Sequence, residues 1–185
     1  METANSNYLK SVKDLFHYYK SLGDKSFAQV DEQSIHWKYN EEVNSIAVIV
    51  QHMAGNSLSR WTDFLNADGE KEWRDRDAEF EDAPMTKAEM ITLWDKGWAC
   101  LFEAVDNLTD DDLVRMVYIR NEGHTVIEAI NRQLAYMPYH IGQIVFIAKM
   151  VAGHSWKSLT IAKGQSKSFN NVKFSAEKEH KFFSI

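Results

Sequence analysis

Four long segments of the chain space their apolar residues three and four positions apart, which is the period of an α-helix that buries one face. The segments run from Tyr8 to Leu22, from about Ser45 to Leu65, from Thr86 to Leu108 and from about Val126 to Ala152. Each of these helices has to cover its apolar face against another element. The sequence therefore predicts an all-α fold, a four-helix bundle in a single domain over residues 1–185.

Local residues predict where these helices begin, bend and end. Asn44 is the expected N-cap of the second helix, and the motifs Thr-Lys-Ala-Glu at Thr86 and Thr-Val-Ile-Glu at Thr125 match capping boxes for the third and fourth. Gly23 is the expected end of the first helix. Pro138 lacks the N–H that would bond a carbonyl one turn earlier, so we expect a kink in the fourth helix.

The connections between the predicted helices differ in character. Residues 66–84 have no periodic apolar face and predict a long loop between the second and third helices, with eight acidic and three basic residues from Asp68 to Asp82. The segment from Met116 to Thr125 predicts a short hairpin before the fourth helix, bending at residues 121–123. Residues 154–185 form a Lys-rich tail that we expect to wrap the bundle.

Charge and cysteine content exclude several classes of protein. A net charge of −6 gives no reason to expect nucleic acid as a partner, because phosphate backbones bind clustered Lys and Arg. No apolar run approaches the roughly 18 residues of a membrane span, and Met1–Lys10 lacks the apolar core of a signal peptide, so we expect no membrane partner. Cys100 is the only cysteine, which excludes an intrachain disulfide and favours a cytoplasmic location.

Two of the seven histidines, His52 and His140, fall in the middle of the second and fourth predicted helices, on or near the apolar face. Asn56 lies one turn beyond His52 on the same side. The polar stripe around His140 consists of Arg132, Tyr136 and Gln143. Buried polar groups need hydrogen-bond partners or a ligand. Two interpretations follow: core histidines bonded to their neighbours, or imidazoles from two helices that hold a divalent metal such as Zn or Ni.

Several runs of the sequence resemble the DinB/YfiT superfamily, and more narrowly an uncharacterised domain-of-unknown-function branch of it. These runs are Asn44–Asn56, Ser59–Phe64, Trp73–Phe80, Asn131–Gln143 and, in the tail, Trp156–Gly164 and Phe169–Asn170. The resemblance implies a four-helix bundle, frequently dimeric, whose divalent-metal site takes one His from the second helix and a His-x-x-x-His pair from the fourth. It also implies thiol-dependent transferase or isomerase activity, or the metal-dependent hydrolase activity ascribed to other members.

By position, the resemblance makes His52 the metal ligand from the second helix and His140 the second histidine of the pair. The first histidine of the pair would fall at residue 136, where this chain has Tyr136, and a neutral phenol is a poor ligand. Three outcomes follow: a weakened site with His52, His140 and water or Tyr136; a different third ligand, such as Asn56 or a carboxylate of the acidic loop; or no metal, with Tyr136 and His140 as hydrogen-bonding core groups.

The arginines and the cysteine carry further expectations. Arg60 and Arg132 are expected to pair with loop carboxylates such as Asp77 or Glu79, with an anionic substrate as the alternative. Cys100 lies among apolar and aromatic residues of the third helix, which favours a buried side chain over a nucleophile. Any thiol chemistry then requires a thiol supplied by a small cofactor.

The function that the resemblance implies is a thiol-dependent S-transferase or related hydrolase that acts on a small molecule as a homodimer. Its cofactors would be a divalent metal and a low-molecular-weight thiol. The residues expected to contact the substrate are Asn56, Arg132 and Gln143. The alternative is a catalytically silent dimeric bundle, a binding or scaffold protein that has lost its metal site through Tyr136.

Overall fold

A computed structural model describes residues 4–82 and 84–180 of the chain. The fold is mostly helical and contains one two-stranded sheet. The elements are α1 (Ala4–Phe27), α2 (Ile46–Trp61), α3 (Lys87–Asp106), β1 (Met116–Ile119), β2 (Glu122–Thr125), α4 (Val126–Ala152) and α5 (Ser166–Ser175), with short 3₁₀ turns at Ser34–His36, Ala78–Phe80, Asp110–Val114 and Gly153–Ser155. Among the helices of the described part of the chain, none combines the length and the apolar character needed to cross a bilayer.

The core lies between the four long helices, with α2 packed along α3 and α1 along α4. Two helices approach closely where Gly97 of α3 faces Ala54 of α2, since a Cβ on Gly97 would lie 2.9 Å from the Cα of Ala54. All four helices contribute large buried side chains, namely Phe16, Met53, Trp94, Trp98, Ile130 and Met137. The apolar faces predicted from the sequence therefore form one continuous core.

The starts of the long helices follow local capping chemistry. The capping boxes predicted at Thr86 and Thr125 are both present, with each threonine accepting the N–H of the glutamate three residues later. The predicted cap of α2 is wrong by one residue: Ser45, rather than Asn44, precedes the helix, and its Oγ accepts the N–H of Val48 at 3.3 Å. A serine hydroxyl serves this role as well as an asparagine amide does.

The helix ends differ more from the sequence prediction. α1 continues past Gly23 to Phe27, so Gly23 does not end the helix. It instead leaves room for the ring of Trp94, whose Cζ2 would lie 2.5 Å from an added Cβ. α2 ends at Trp61 rather than Leu65, and Asp63 takes a φ of 49°, which a helix does not allow. Pro138 lies inside α4, which continues to Ala152, so the proline does not divide the helix in two.

The predicted hairpin is present, and it is fastened to the long loop that precedes α3. β1 and β2 pair antiparallel, and the bend falls at Arg120 and Asn121, both at positive φ, slightly before the predicted residues 121–123. Asp68 of the loop accepts both backbone N–H groups of this bend at 2.8 Å. The loop and the hairpin are thus held together at one end of the helices.

The tail contacts the rest of the chain near its beginning. Trp156 packs against the core, and Lys157 exchanges hydrogen bonds with the side chain of Gln29 at 2.6 and 3.1 Å. Further along, α5 buries none of its residues. The predicted tail of residues 154–185 includes 181–185, which lie outside the described residues, so wrapping of the bundle by the whole tail stays a prediction.

Candidate functional site

Three of the residues singled out from the sequence lie together between α2 and α4. The ring centroids of His52 and His140 are 5.1 Å apart, and Tyr136 lies 5.7 Å from His52 and 4.5 Å from His140. Tyr136 and His140 share one face of α4 because they are four residues apart. We call this group, His52, Tyr136 and His140, the histidine cluster.

A buried carboxylate orients the first histidine. His52 Nδ1 lies 2.8 Å from Glu79 Oε2, and Arg74 donates to both oxygens of Glu79, from Nε at 2.7 Å and from Nη2 at 2.9 Å. Burial alone would raise the pKa of Glu79, but the bonds from Arg74 and His52 outweigh it and hold the pKa below its usual value. An ionised carboxylate only accepts hydrogen bonds, so His52 Nδ1 carries the proton and, in the neutral ring, Nε2 carries the lone pair.

The other two members of the cluster are neutral near pH 7. Burial raises the pKa of the Tyr136 phenol well above its usual value. Burial, with a smaller effect from His52, lowers the pKa of His140 to about 4. Tyr136 Oη and His140 Nδ1 are both buried without a hydrogen-bond partner. The cluster therefore holds polar atoms that the surrounding side chains leave unsatisfied.

These donors provide two of the three ligands expected for a metal. Both imidazoles are suited to a divalent metal, whereas a phenol with a raised pKa keeps its proton and coordinates poorly. In residues 4–82 and 84–180, no three His, Cys, Asp or Glu side chains lie close enough together to form a metal site. The described residues supply two imidazoles and no third protein ligand, so they do not fit a site with three protein ligands.

Beside the histidine cluster lies a cavity of about 230 Å³, which His52 and Tyr136 help to line. Five of the six arginines of the chain line it, whereas none of its lysines, aspartates or glutamates does. These arginines are Arg60 from α2, Arg74 and Arg76 from the long loop, Arg120 from the hairpin bend and Arg132 from α4. We call it the arginine cavity.

One carboxylate, which does not itself line the cavity, forms ion pairs with three of these arginines. Glu70 Oε2 lies 3.4 Å from Arg60 Nη1, 3.4 Å from Arg74 Nη1 and 3.2 Å from Arg120 Nη2. The pairing differs from the one expected from the sequence, in which Asp77 or Glu79 paired with Arg60 or Arg132. Arg74, only five residues from Glu79, occupies that carboxylate instead.

The arginine cavity also collects buried polar atoms that make no hydrogen bond. Asn56 Oδ1, Arg60 Nη1, Trp61 Nε1, Gln133 Nε2 and Tyr136 Oη are all of this kind, and all five residues line the cavity. Leaving one such group unsatisfied costs about 1–3 kcal/mol. Because the protein leaves five of these groups without hydrogen bonds in one cavity, the cavity is well suited to a polar ligand that would supply them.

The structure brings some of the predicted substrate contacts to this cavity and not others. Asn56 and Arg132 line it, whereas Gln143 does not, and its Nε2 donates to the Tyr139 carbonyl at 3.4 Å. The contact of Gln143 with a substrate stays a prediction. Cys100 is half-buried on α3 with its Sγ 3.5 Å from Thr62 Oγ1, and it does not line the arginine cavity.

Several residues that line the cavity were not predicted as site residues from the sequence: Arg74, Arg76, Arg120, Trp61 and Gln133. Arg74, Arg76 and Arg120 come from the loop and the hairpin, whose placement the helical pattern does not predict, whereas Trp61 and Gln133 lie on α2 and α4. One feature of the sequence pointed toward them, namely the scarcity of arginine, which accounts for only six of the 21 basic residues.

The fold and the site define a mostly helical protein that places a cationic cavity beside paired histidines. A family model described as "Protein of unknown function (DUF1572)" matches residues 3–165, and the chain belongs to this uncharacterised family. The matched region contains the histidine cluster and every arginine of the cavity, and it ends just before α5. No curated protein matches the chain.

Proposed function

We propose that this chain is a DinB/YfiT-like four-helix bundle, working in the cytoplasm, that binds a divalent metal weakly or conditionally at His52 and His140. In this proposal it acts on a small molecule as a thiol-dependent S-transferase or related hydrolase. The motifs of α2, the long loop and α4 support the superfamily, and the order of the four long helices with their long second connection supports the bundle.

One observation carries the metal proposal: the hydrogen bond from His52 Nδ1 to the buried Glu79 carboxylate. Histidines that bind metals usually donate their other ring N–H to a carboxylate or carbonyl, which fixes the ring and the tautomer. Arg74 fixes the carboxylate in turn, with a side chain only 2% exposed. The fixed tautomer of His52, with its Nε2 left to accept, supports the proposal that this ring is a metal ligand.

The metal would be held by His52 and His140, with Tyr136 as a neutral neighbour. When bound, it would lower the pKa of a coordinated thiol and favour the thiolate. Cys100 does not line the arginine cavity, so the thiol would come from a low-molecular-weight cofactor. Tyr136, whose phenol keeps its proton, would donate a hydrogen bond to the sulfur or to a substrate oxygen.

A homodimer is part of the same proposal. α4 exposes large apolar side chains at Tyr139, Phe146 and Met150, spaced seven and four residues apart and hence on one face. Contiguous exposed apolar patches often mark protein–protein interfaces, and this row of side chains is a candidate for one. A second copy of the chain would cover it without altering the arginine cavity, whose lining includes none of the three.

The second candidate function is a catalytically silent binding protein, and Tyr136 favours it. The resemblance places a third metal ligand at this position, and this chain has a phenol there whose raised pKa opposes coordination. In this case the cavity would still bind a small molecule, and the histidines would serve as hydrogen-bonding groups of its wall.

Metal titration separates the two candidates. We expect the purified chain to bind about one equivalent of Ni or Zn when loaded, and His52→Ala and His140→Ala to abolish this binding, because each removes one of the two imidazoles. His154→Ala is the matched control, since His154 is exposed at the end of α4. Substoichiometric metal that is equal in the wild type and in all three variants contradicts the enzyme proposal and leaves the binding protein.

A further inference from the structure

We infer that the arginine cavity binds a small molecule that carries carboxylate or phosphate groups. The inference goes beyond the metal-dependent function and does not require it, because it rests on a different set of residues. Four features of the cavity support it. Its basic residues are all arginines, these arginines outnumber the carboxylates that pair with them, most of its buried polar atoms without a hydrogen bond are donors, and its volume is small.

The basic residues of the cavity are all arginine. The chain has 15 lysines and six arginines, yet no lysine and five arginines line this one space. The planar guanidinium matches carboxylate and phosphate oxygens with two parallel hydrogen bonds, which the lysine ammonium cannot do. A cavity that merely needed positive charge for solubility would not select one residue type so strictly. The selection fits recognition of a planar or tetrahedral anion.

The charges around the cavity do not cancel. Three carboxylates pair with arginines of the cavity: Glu70, Glu79 and the exposed Asp77, which lies 4.0 Å from Arg76 Nη1. Glu79 is fully engaged by Arg74 and His52. The side chain of Arg132, which is exposed, makes no hydrogen bond or ion pair with any residue of the described ranges. Arg120 shares Glu70 with two other arginines. Because the chain as a whole carries a charge of −6, this local excess of positive charge is opposite to the rest of the molecule and would direct anions to the cavity.

The unsatisfied polar atoms of the cavity are mainly donors. Arg60 Nη1, Trp61 Nε1 and Gln133 Nε2 are buried N–H groups that make no hydrogen bond, although Arg60 Nη1 has Glu70 Oε2 at an ion-pair distance of 3.4 Å. A carboxylate or phosphate consists of acceptor oxygens and supplies what these groups lack. A neutral or cationic ligand would satisfy fewer of them. The missing partners are therefore acceptors with negative charge.

The remaining lining and the volume limit the ligand further. Phe64, Ile119 and Ala129 add apolar surface between the polar groups, so the ligand has an apolar part beside its anionic groups. A volume of about 230 Å³ lies below the roughly 300–1,000 Å³ of cavities that hold drug-sized molecules. The class that fits is a small organic anion, rather than a nucleotide or a polymer.

Calorimetric titration of the EDTA-treated full chain tests the inference with three probes: inorganic phosphate, succinate, and uncharged succinamide. We expect saturable one-to-one binding of at least one of the two anions and none of succinamide. Binding of phosphate alone assigns the cavity to phosphoryl compounds, and binding of succinate alone assigns it to carboxylates. Because the protein is free of metal, absence of metal binding does not alter these results.

Two variants and a control identify the cavity as the site. Arg132→Gln removes an arginine that makes no other bond, and we expect it to weaken the anion by about tenfold, the effect of one charge-assisted hydrogen bond. Arg60→Gln should weaken it at least as much. Arg115→Gln is the control, because Arg115 is the sixth arginine and pairs with Asp112 outside the cavity. Absence of saturable binding by either anion, or affinity unchanged in both cavity variants, overturns the inference.

Discussion

Glu79 links the two parts of the site at the scale of a single residue. Its carboxylate is buried, accepts from Arg74 on one side and from His52 on the other, and thereby holds a cavity arginine and a cluster histidine in fixed positions. A buried ion pair contributes little net stability when it is compared with apolar packing, but removal of one partner leaves the other charge unpaired. Glu79 therefore affects stability mainly because its removal would leave the buried Arg74 charge unpaired.

Replacement of Glu79 measures this effect. We expect Glu79→Gln to lower the free energy of unfolding by about 3 kcal/mol, because Arg74, with a side chain only 2% exposed, would lose its bidentate carboxylate partner. Glu81→Gln is the control, since Glu81 is two residues away and exposed. Urea unfolding of both variants provides the measurement. Equal stability of the two would show that Arg74 finds another partner.

The neutral state of His140 predicts a pH dependence. Burial lowers the pKa of His140 from 6.5 to about 4, so the unfolded chain binds more protons than the folded chain between these values. Stability contributed by the neutral ring is therefore present above pH 6.5 and is lost as the pH falls toward 4. In EDTA-treated protein, the wild type should lose more stability than His140→Asn between pH 7 and about pH 4.5. An equal loss of unfolding free energy in the two proteins over this pH range would contradict the prediction.

Tyr136 is the residue at which metal affinity should be improvable. We expect Tyr136→His to tighten Ni or Zn binding by about tenfold or more, because a neutral imidazole replaces a phenol whose raised pKa opposes coordination. Competition with a chelator of known affinity measures the change. Lys149→His is the matched control, since Lys149 is exposed on α4 and does not line the arginine cavity. Equal affinities in the two variants would mean that residue 136 does not face the metal.

At the scale of elements, glycines allow helices and loops to pack closely because they have no Cβ. Gly55 lies in α2 directly under Glu79, and an added Cβ would collide with the Glu79 carboxylate. Gly142 lies in α4 with no heavy atom within 4 Å of the corresponding position. The two residues are both helical glycines, and only one of them is required by packing.

This difference predicts opposite effects of the same substitution. Alanine favours a helix interior over glycine by about 1 kcal/mol, so Gly142→Ala should raise the free energy of unfolding by about that amount. Gly55→Ala should lower it, because the new methyl group displaces Glu79 from His52 and Arg74. Thermal unfolding of the two variants tests the pair. Stabilisation by both would mean that Glu79 moves aside at no cost.

The elements also show what a sequence can predict. The capping boxes at Thr86 and Thr125 were predictable because all of their partners lie within three residues. The end of α2 was not, because the apolar pattern continues through Phe64 and Leu65 while the backbone turns at Asp63. Phe64 is buried from the loop rather than from the helix. Periodicity records that a side chain is buried, but it does not record which element carries it.

At the scale of the whole molecule, the approach of His52 to His140 followed from their positions on two amphipathic helices. The arginine cavity did not follow, because Arg74, Arg76 and Arg120 come from the loop and the hairpin, whose placement beside α2 and α4 the helical pattern does not predict. Asp68 fastens these two segments by accepting N–H groups 52 and 53 residues away in the chain. A single sequence contains no local sign of such a bond.

The exposed face of α4 predicts the oligomeric state. If Tyr139, Phe146 and Met150 form the interface of a homodimer, Phe146→Ser should convert the dimer to a monomer, because it removes a large apolar side chain that is 64% exposed in the single chain. Light scattering coupled to gel filtration gives the mass. Phe174→Ser is the control, since Phe174 on α5 is even more exposed, at 84%. Loss of the dimer in the control alone would place the interface on α5.

The close contact between Gly55 and the Glu79 carboxylate also limits how the family can diverge. A side chain at position 55 and a glutamate at position 79 cannot both be accommodated with the backbone as it stands. Relatives that carry alanine or serine at position 55 should therefore have a shorter residue at position 79, and should then lack the acceptor that orients the helix-borne histidine. Covariation of these two positions would distinguish family members with glycine at 55 and glutamate at 79, in which the histidine is oriented, from members with a larger residue at 55 and a shorter one at 79, in which it is not.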